Sequence, residues 1–400
     1  MAGHWELKLR GLVKELVDRR DLRDRKWVEA FAAIPRHLFV PEVIVGTPDG
    51  YRRLSGDDPA SRGEWMDAVY ADESLVTQDK PHAAGYRLAS GEPLRVPTSS
   101  STKPSLMARM LEALDVRDGM RVLEIGTGTG YNAALLSHRL GDRNVVSIEI
   151  DPELVDQAAR RLAQIGYSPI LLAGDGPVGA AQYGPYDRII ATAAVPAIPL
   201  AWVQQLRPGG KILANLRGDL AGGTLCLLSK EDDEDEVIGP ILPIGGHFMW
   251  LRPSVNDPHR PHERAEATGR GTTSRTSSGI DPADVPVADD GYRFLLQLQL
   301  HGARALRRGQ TMDPTTRAVQ DAVIVTAADG SFAEAVLDGS RHVVQAGPRR
   351  IWDTVEATYR LWDGLGRPTA DKFGIVANDS TQFAWFGDDD SWYRWPLPLV

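Results

Sequence analysis

Three glycines at alternating positions, Gly126, Gly128 and Gly130, follow the apolar run 122–125. The residues after them, 131–140, read as a helix. A buried strand that enters a glycine turn and then a helix lets the backbone approach a ligand closely and aims N–H groups at it. A second apolar strand, 144–149, carries Glu149 at its end. An acidic residue about 20 positions past such glycines is placed to accept the two hydroxyls of a ribose. The chemistry is that of a nucleoside-cofactor pocket. The G-x-G-x-G spacing is one residue tighter than the dinucleotide fingerprint, which ends G-x-x-G.

The elements that must hold these residues alternate. Strands are expected at 121–126, 144–149, 169–173, 187–192 and 211–216, with helices at 131–140, 152–165 and around 199–206. Arg207-Pro-Gly-Gly210 is a strong turn before the last strand. Strands alternating with helices imply an α/β fold with a doubly wound parallel sheet. Upstream, 5–33 has helical periodicity, 42–96 reads as irregular and polar, and Pro104 suits the first turn of a helix.

Downstream, the acidic run 231–236 reads as a solvated hairpin tip. Residues 253–287 are rich in Pro, Ser, Thr, Arg and Gly and read as a flexible linker. The sequence therefore divides into 1–252, a linker, and a small α+β accessory unit at 288–400. That unit opens with a strand candidate at 292–300. A hairpin follows around Asp329-Gly330, then an amphipathic helix at 350–362. Its aromatic end, with Trp385, Trp392 and Trp395, reads either as an anchor for a peptide partner or as ordinary core.

A net charge of −9 argues against a general nucleic-acid-binding surface. One cysteine, Cys226, excludes an internal disulfide framework and a cysteine-rich zinc site, and its apolar neighbours suggest a buried strand position. No metal is expected. No stretch approaches the roughly 18 apolar residues of a membrane span, and the first residues lack an apolar signal core. The chain reads as cytoplasmic.

Glu124-x-Gly126-x-Gly128-x-Gly130, the acidic second strand and Gly174-Asp175-Gly176 together resemble class I S-adenosylmethionine (SAM) methyltransferases. Further segments narrow the likeness: Ile34-Pro-Arg-His-Leu-Phe-Val-Pro41, Tyr70-Ala-Asp-Glu-Ser-Leu-Val76, Ser99-Ser-Ser-Thr-Lys-Pro104, Tyr186-Asp-Arg-Ile-Ile-Ala-Thr-Ala-Ala194 and Gln205-Leu-Arg-Pro-Gly-Gly210. With these the chain resembles protein-L-isoaspartate O-methyltransferases over about 10–250. The resemblance implies a Rossmann-like SAM-binding domain. It places the cofactor against Glu124, Gly126, Thr127, Gly128, Gly130 and Tyr131, its ribose on Glu149 and its adenine amine by Asp175 and Gly176. The family carries Thr-Ile-Ser-Gln-Pro where this chain has Ser100-Ser101-Thr102-Lys103-Pro104, so Thr102 takes the place of the active serine. Ser101 and Thr102 are the catalytic candidates; the alternative is that they cap the helix at Pro104. A carboxylate substrate is already ionised, so the site needs a hydroxyl to orient it rather than a strong base. Lys103 in place of glutamine leaves the substrate preference open. Arg36 and His37 read better as packing or loop residues than as catalysts.

Members of the family usually end soon after the sheet. A linker and a tail carrying Gly347-Pro-Arg-Arg-Ile-Trp352 and Lys372-Phe-Gly-Ile375 look like actinobacterial methyltransferases of ribosomal peptide maturation. There, an aspartate side chain of a precursor peptide is esterified and closes to an aspartimide. The leading expectation is therefore methylation of Asp in such a peptide. The alternatives are general repair of isoAsp in proteins, and a peptide-binding protein that keeps the SAM pocket without turnover.

Overall fold

The computed structural model describes residues 4–48, 50–82, 85–231, 235–252, 273–312, 318–388 and 391–397. Part of the acidic run, 232–234, and most of the expected linker, 253–272, lie outside the described residues.

Two helices open the chain, α1 (His4–Asp18) and α2 (Arg25–Ala33); the Asp24 side chain caps α2 by accepting from the Lys26 N–H. The stretch expected to be irregular is instead ordered. It forms β1 (Glu42–Thr47), β2 (Gly50–Ser55), α3 (Arg62–Tyr70), β3 (Leu75–Pro81) and β4 (Arg95–Ser101). These strands make a sheet in the order β2-β1-β3-β4. Only sparse apolar residues such as Val43, Leu54 and Leu75 are buried in it, while the other positions are largely polar. That half-wet pattern carries little hydrophobic signal.

After α4 (Pro104–Ala113) comes the expected alternation. Its elements are β5 (Val122–Ile125), α5 (Tyr131–Leu140), β6 (Val145–Glu149), α6 (Pro152–Gln164), β7 (Ile170–Ala173), β8 (Tyr186–Val195), α7 (Leu200–Gln204) and β9 (Leu206–Leu216). The five strands are parallel, in the order β9-β8-β5-β6-β7. β5 and β6 are buried along their whole length, as strands covered on both faces must be. The order reverses between β5 and β8. In open α/β sheets the crevice beyond the strand ends at such a reversal is where ligands bind.

The sheet does not stop there. β10 (Thr224–Ser229) and β11 (Glu236–Gly245) add antiparallel strands. The next elements are β12 (Ser274–Ser277), α8 (Asp290–Gln299), β13 (Ala303–Met312), β14 (Val319–Ala327), β15 (Phe332–Val336), β16 (His342–Ala346) and α9 (Ile351–Gly364). β12 to β16 form a separate five-stranded antiparallel sheet. The last strands, β17 (Gly374–Asn378), β18 (Gln382–Asp388) and β19 (Ser391–Pro396), return to the large sheet, where β17 pairs with β11. A unit beginning at 288 thus contributes three strands to the sheet of the first 252 residues. One buried cluster runs through both, joining Trp202 and Cys226 to Tyr292, Phe373 and Trp395.

The strand expected at 292–300 is a helix, α8. Tyr292, Leu295, Leu296 and the capping Asp289 follow helical spacing, and Asp289 accepts from the Tyr292 N–H. The hairpin at Asp329-Gly330 and the helix at 350–362 form as expected. Among the described residues no helix is long and apolar enough to cross a membrane.

Candidate active site

β5 ends in the glycine turn, and the turn is shaped by close approaches. Gly126, Gly128 and Gly130 have φ of 95°, 51° and 87°, the left-handed region that glycine enters without penalty. A Cβ on Gly130 would lie 2.9 Å from Ala158 Cβ of α6. The turn therefore brings α5 against α6 as well as opening toward a cavity.

Glu149, at the end of β6, faces this turn. It is 8 % exposed and accepts from the Gly128 N–H at 3.0 Å and the Asp151 N–H at 3.2 Å. Burial pushes its pKa up, against those two N–H groups and nearby Arg252. Beneath the turn, Glu124 is fully buried. It accepts from Asn132 Nδ2 at 2.7 Å and Ser147 Oγ at 2.6 Å, and Ser147 Oγ also lies 2.6 Å from Thr127 Oγ1. Burial raises Glu124 to about 7.

β4 carries the hydroxyls to the same cavity. Ser99, Ser100, Ser101 and Thr102 line it, and a Cβ on Gly128 would lie 3.7 Å from Ser99 Oγ. Neither Ser101 nor Thr102 caps α4: its N-cap is Lys103, with no side-chain cap bond. Ser101 Oγ accepts from Arg36 Nε at 3.3 Å. Arg36 is itself fully buried, and its guanidinium also donates to the carbonyls of Val69, Ala71, Glu73 and Thr102. It is a strut beneath β4, and burial lowers its pKa to about 10. His37 packs beside Trp5 and meets the Tyr70 hydroxyl at 2.6 Å, outside the cavity lining.

Glu124, Gly126, Thr127, Gly128, Tyr131, Glu149 and Gly176 all line the one cavity, with Ser101 and Thr102. Gly130 acts behind it, against α6. The exposed Asp175 is not among the lining residues; its neighbour Gly176 is.

Several lining residues were not anticipated: Thr192, Arg217 and the segment 247–252. Thr192 Oγ1 donates to the Gly126 carbonyl at 2.7 Å. Arg217 follows β9, lies over the Trp250 ring at 5.3 Å and donates to the Phe248 carbonyl. Thr192 and Arg217 have a positional signal, since residues toward the carboxyl ends of parallel strands such as β8 and β9 face the crevice; the segment 247–252 follows the antiparallel β11 and has none.

The lining also contains unanswered polar atoms. Tyr131 Oη, Asn132 Oδ1 and Arg252 Nη1 are buried without a hydrogen-bond partner among the described residues. Buried polar groups are nearly always paired, so donors and acceptors left open around one cavity fit a polar ligand. A nucleoside bearing an amino-acid tail, as in SAM, offers complementary groups.

The family profile described as "Protein-L-isoaspartate(D-aspartate) O-methyltransferase (PCMT)" matches residues 61–240. Protein-L-isoaspartate O-methyltransferase 1 of Archaeoglobus fulgidus is 36 % identical over 208 residues, covering 52 % of this chain and 78 % of that one. The protein-L-isoaspartate O-methyltransferase of Ignicoccus hospitalis is 32 % identical over 241 residues, covering 60 % of this chain and 95 % of its own length. A solved structure titled protein-L-isoaspartate O-methyltransferase superposes with a TM-score of 0.53 at 21 % identity, over 95 % of this chain and 100 % of that one. At that identity the superposition speaks for the fold.

Proposed function

The chain belongs to the protein-L-isoaspartate O-methyltransferase family of SAM-dependent carboxyl O-methyltransferases, and we propose that it methyl-esterifies the free carboxylate of isoaspartyl residues in peptides and proteins. The observation that carries this is the meeting of the β4 hydroxyls with the glycine turn across one cavity.

When bound, SAM would supply a methyl group activated on a sulfonium: the acceptor carboxylate oxygen forms the O–CH3 bond in line as the S–CH3 bond breaks, and S-adenosylhomocysteine leaves as a neutral thioether. Glu149 accepts from the ribose hydroxyls. Asn132 Oδ1 and Tyr131 Oη have free capacity toward the cofactor's polar groups. Thr102 donates to one oxygen of the acceptor carboxylate and leaves the other to attack. Holding the oxygen at contact distance from the methyl carbon is the main catalytic contribution. Arg217, charged at any working pH, favours an anionic acceptor in the cavity.

A second reading is the one first expected from the sequence: an aspartyl side chain of a ribosomally made precursor peptide, whose ester loses methanol to the neighbouring backbone nitrogen and closes to an aspartimide. One observation favours it. A second hollow shares Arg217 and Trp250 with the first, and the extension lines it through Gln297, Leu300, His301, Arg304 and Leu397. It offers room for a peptide chain flanking the modified residue. The relatives' names speak for isoaspartyl substrates, so we put that reading first.

The test offers SAM with paired peptides that differ only in Asp or isoAsp at one position, followed by mass spectrometry. The expected result is one added methyl group on the isoAsp peptides, across unrelated sequences. Methylation of Asp alone, followed by a species one water lighter than the starting peptide, would overturn it in favour of the second reading. Binding of SAM with no turnover on either set would leave a cofactor-binding protein.

A further inference from the structure

Residues 249–251 run beside the end of β8: the Ala194 N–H donates to the Met249 carbonyl at 2.7 Å, and the Leu251 N–H donates to the Ala194 carbonyl at 2.8 Å. This pairing seats Leu251 against Gly176, where an added Cβ would lie 2.9 Å from Leu251 Cδ1. It also delivers the next side chain, Arg252, to the cavity wall beside Glu149. Arg252 is 9 % exposed, and its Nη2 lies 3.9 Å from Glu149 Oε1. Its Nη1 has no hydrogen-bond partner among the described residues. A guanidinium can only donate, and leaving one of its N–H groups buried and unpaired is costly. The arrangement makes sense if a ligand brings the acceptor.

Glu149 defines what that ligand offers there. A carboxylate can only accept, so it can take the ribose O–H donors but cannot meet the acceptor side of the nucleoside. The ribose oxygens and the adenine ring nitrogens remain as acceptors. We infer that Arg252 is a cofactor-binding residue of this chain. With Glu149 it closes on the adenosine half of the cofactor, Glu149 accepting from the ribose hydroxyls and Arg252 Nη1 donating to a ribose or adenine acceptor. The inference rests on SAM being the cofactor and is independent of which carboxylate is methylated.

The test is titration calorimetry with two probes, S-adenosylhomocysteine and 5′-methylthioadenosine, on the full-length chain and on Arg252→Met and Arg252→Lys. Methylthioadenosine keeps the adenosine and lacks the amino-acid carboxylate. Arg252→Met should weaken both probes by a similar factor, on the order of ten-fold, as expected for loss of a charged hydrogen bond. Arg252→Lys, which keeps the charge without the forked donor, should recover part of that loss. Melting curves without ligand establish that each variant is folded. If Arg252→Met does not fold, Arg252→Lys carries the comparison through a smaller loss shared by both probes. Weakening confined to S-adenosylhomocysteine would mean that the guanidinium reads the amino-acid carboxylate, and would overturn the assignment. Unchanged affinity for both probes would overturn it as well. Neither readout involves a methyl acceptor, so failure of methyl transfer leaves this result standing. Failure of the unaltered chain to bind S-adenosylhomocysteine would remove the cofactor reading and this inference with it.

Discussion

Ser101 and Thr102 are adjacent and have different neighbours. Ser101 Oγ answers the buried Arg36 guanidinium, whereas Thr102 contributes its carbonyl to that cluster and stands at the cavity wall. Thr102→Val should therefore lower turnover while leaving S-adenosylhomocysteine affinity unchanged in titration. Ser101→Ala should add a stability loss of about 1–2 kcal/mol, because it leaves a donor of Arg36 less well met. Full turnover of the double variant would reduce both residues to packing. Glu124 carries a different expectation. Its folded pKa is raised by burial from 4.5 to about 7. Between those values the native state holds more protons than the unfolded chain, so the contribution of this group is fully present below 4.5 and is lost as the pH rises through about 7. Glu124→Gln cannot ionise and keeps the shape. The stability of the native chain relative to this variant should fall as the pH rises across that window, as measured by urea unfolding. Parallel curves would show that Glu124 titrates normally.

At the scale of elements, the glycine turn has two jobs that separate by substitution. Gly130 sets the contact between α5 and α6. Alanine there would combine a φ of 87° with a methyl 2.9 Å from Ala158 Cβ. A loss of about 2–4 kcal/mol is expected from strain and overpacking together. Gly166, just past the end of α6, has a φ of 81° and open space around it, so alanine there should cost only about 1 kcal/mol. Equal losses in denaturant midpoint would show that the helix contact is not what Gly130 serves. The same elements show what the sequence reveals of the fold. β5 and β6 are buried on both faces, so they are mostly apolar, broken only by Glu124 in one and by Ser147 and the terminal Glu149 in the other, and the glycine turn between β5 and α5 is written in residue types. β1 to β4 bury scattered residues among polar ones, and only Val43-Ile44-Val45 makes a short apolar run. In α8, Tyr292, Phe294, Leu296 and Leu298 alternate as they would in a strand, and this pattern competes with the helical spacing of Tyr292, Leu295 and Leu296 and with the cap at Asp289. The site divides the same way. Glu149 and the glycines are legible because their spacing follows one strand–turn–helix unit. Arg217 is legible only as the residue after β9, and Arg252 reaches the cavity through the pairing of 249–251 with β8, which local sequence does not encode. Asp175 has its place in the motif, yet its side chain is exposed while Gly176 meets the cavity.

For the whole molecule, the question is whether the first 252 residues stand alone, as the linker-like composition of 253–287 suggests. The sheet argues otherwise. β17 covers the edge of β11 through five residue pairs, from Glu236↔Asn378 to Pro240↔Gly374. Gln382 of β18 ties back to the loop before α7, accepting from the Ile198 N–H at 2.9 Å and donating to its carbonyl at 2.6 Å. Phe373, Tyr292 and Trp395 fill the same buried cluster as Cys226, Val237 and Ile241. A chain ending at Arg252 would expose that apolar face and leave the outer edge of β11, which β17 covers, unpaired, a ready template for strand addition between copies. We expect such a fragment to be largely insoluble, or soluble without a cooperative melting transition. Fusing 273–400 back through a neutral Gly/Ser linker in place of 253–272 should restore both solubility and binding of S-adenosylhomocysteine. The restoration would follow because the missing piece is sheet and core rather than linker chemistry. A monomeric 1–252 fragment with a sharp melt and undiminished cofactor affinity would show that β17 to β19 are an added layer on a complete domain, and that the extension is dispensable for the fold. In that case its contribution would be confined to the hollow beside Arg217 and Trp250, and would be read only in acceptor affinity.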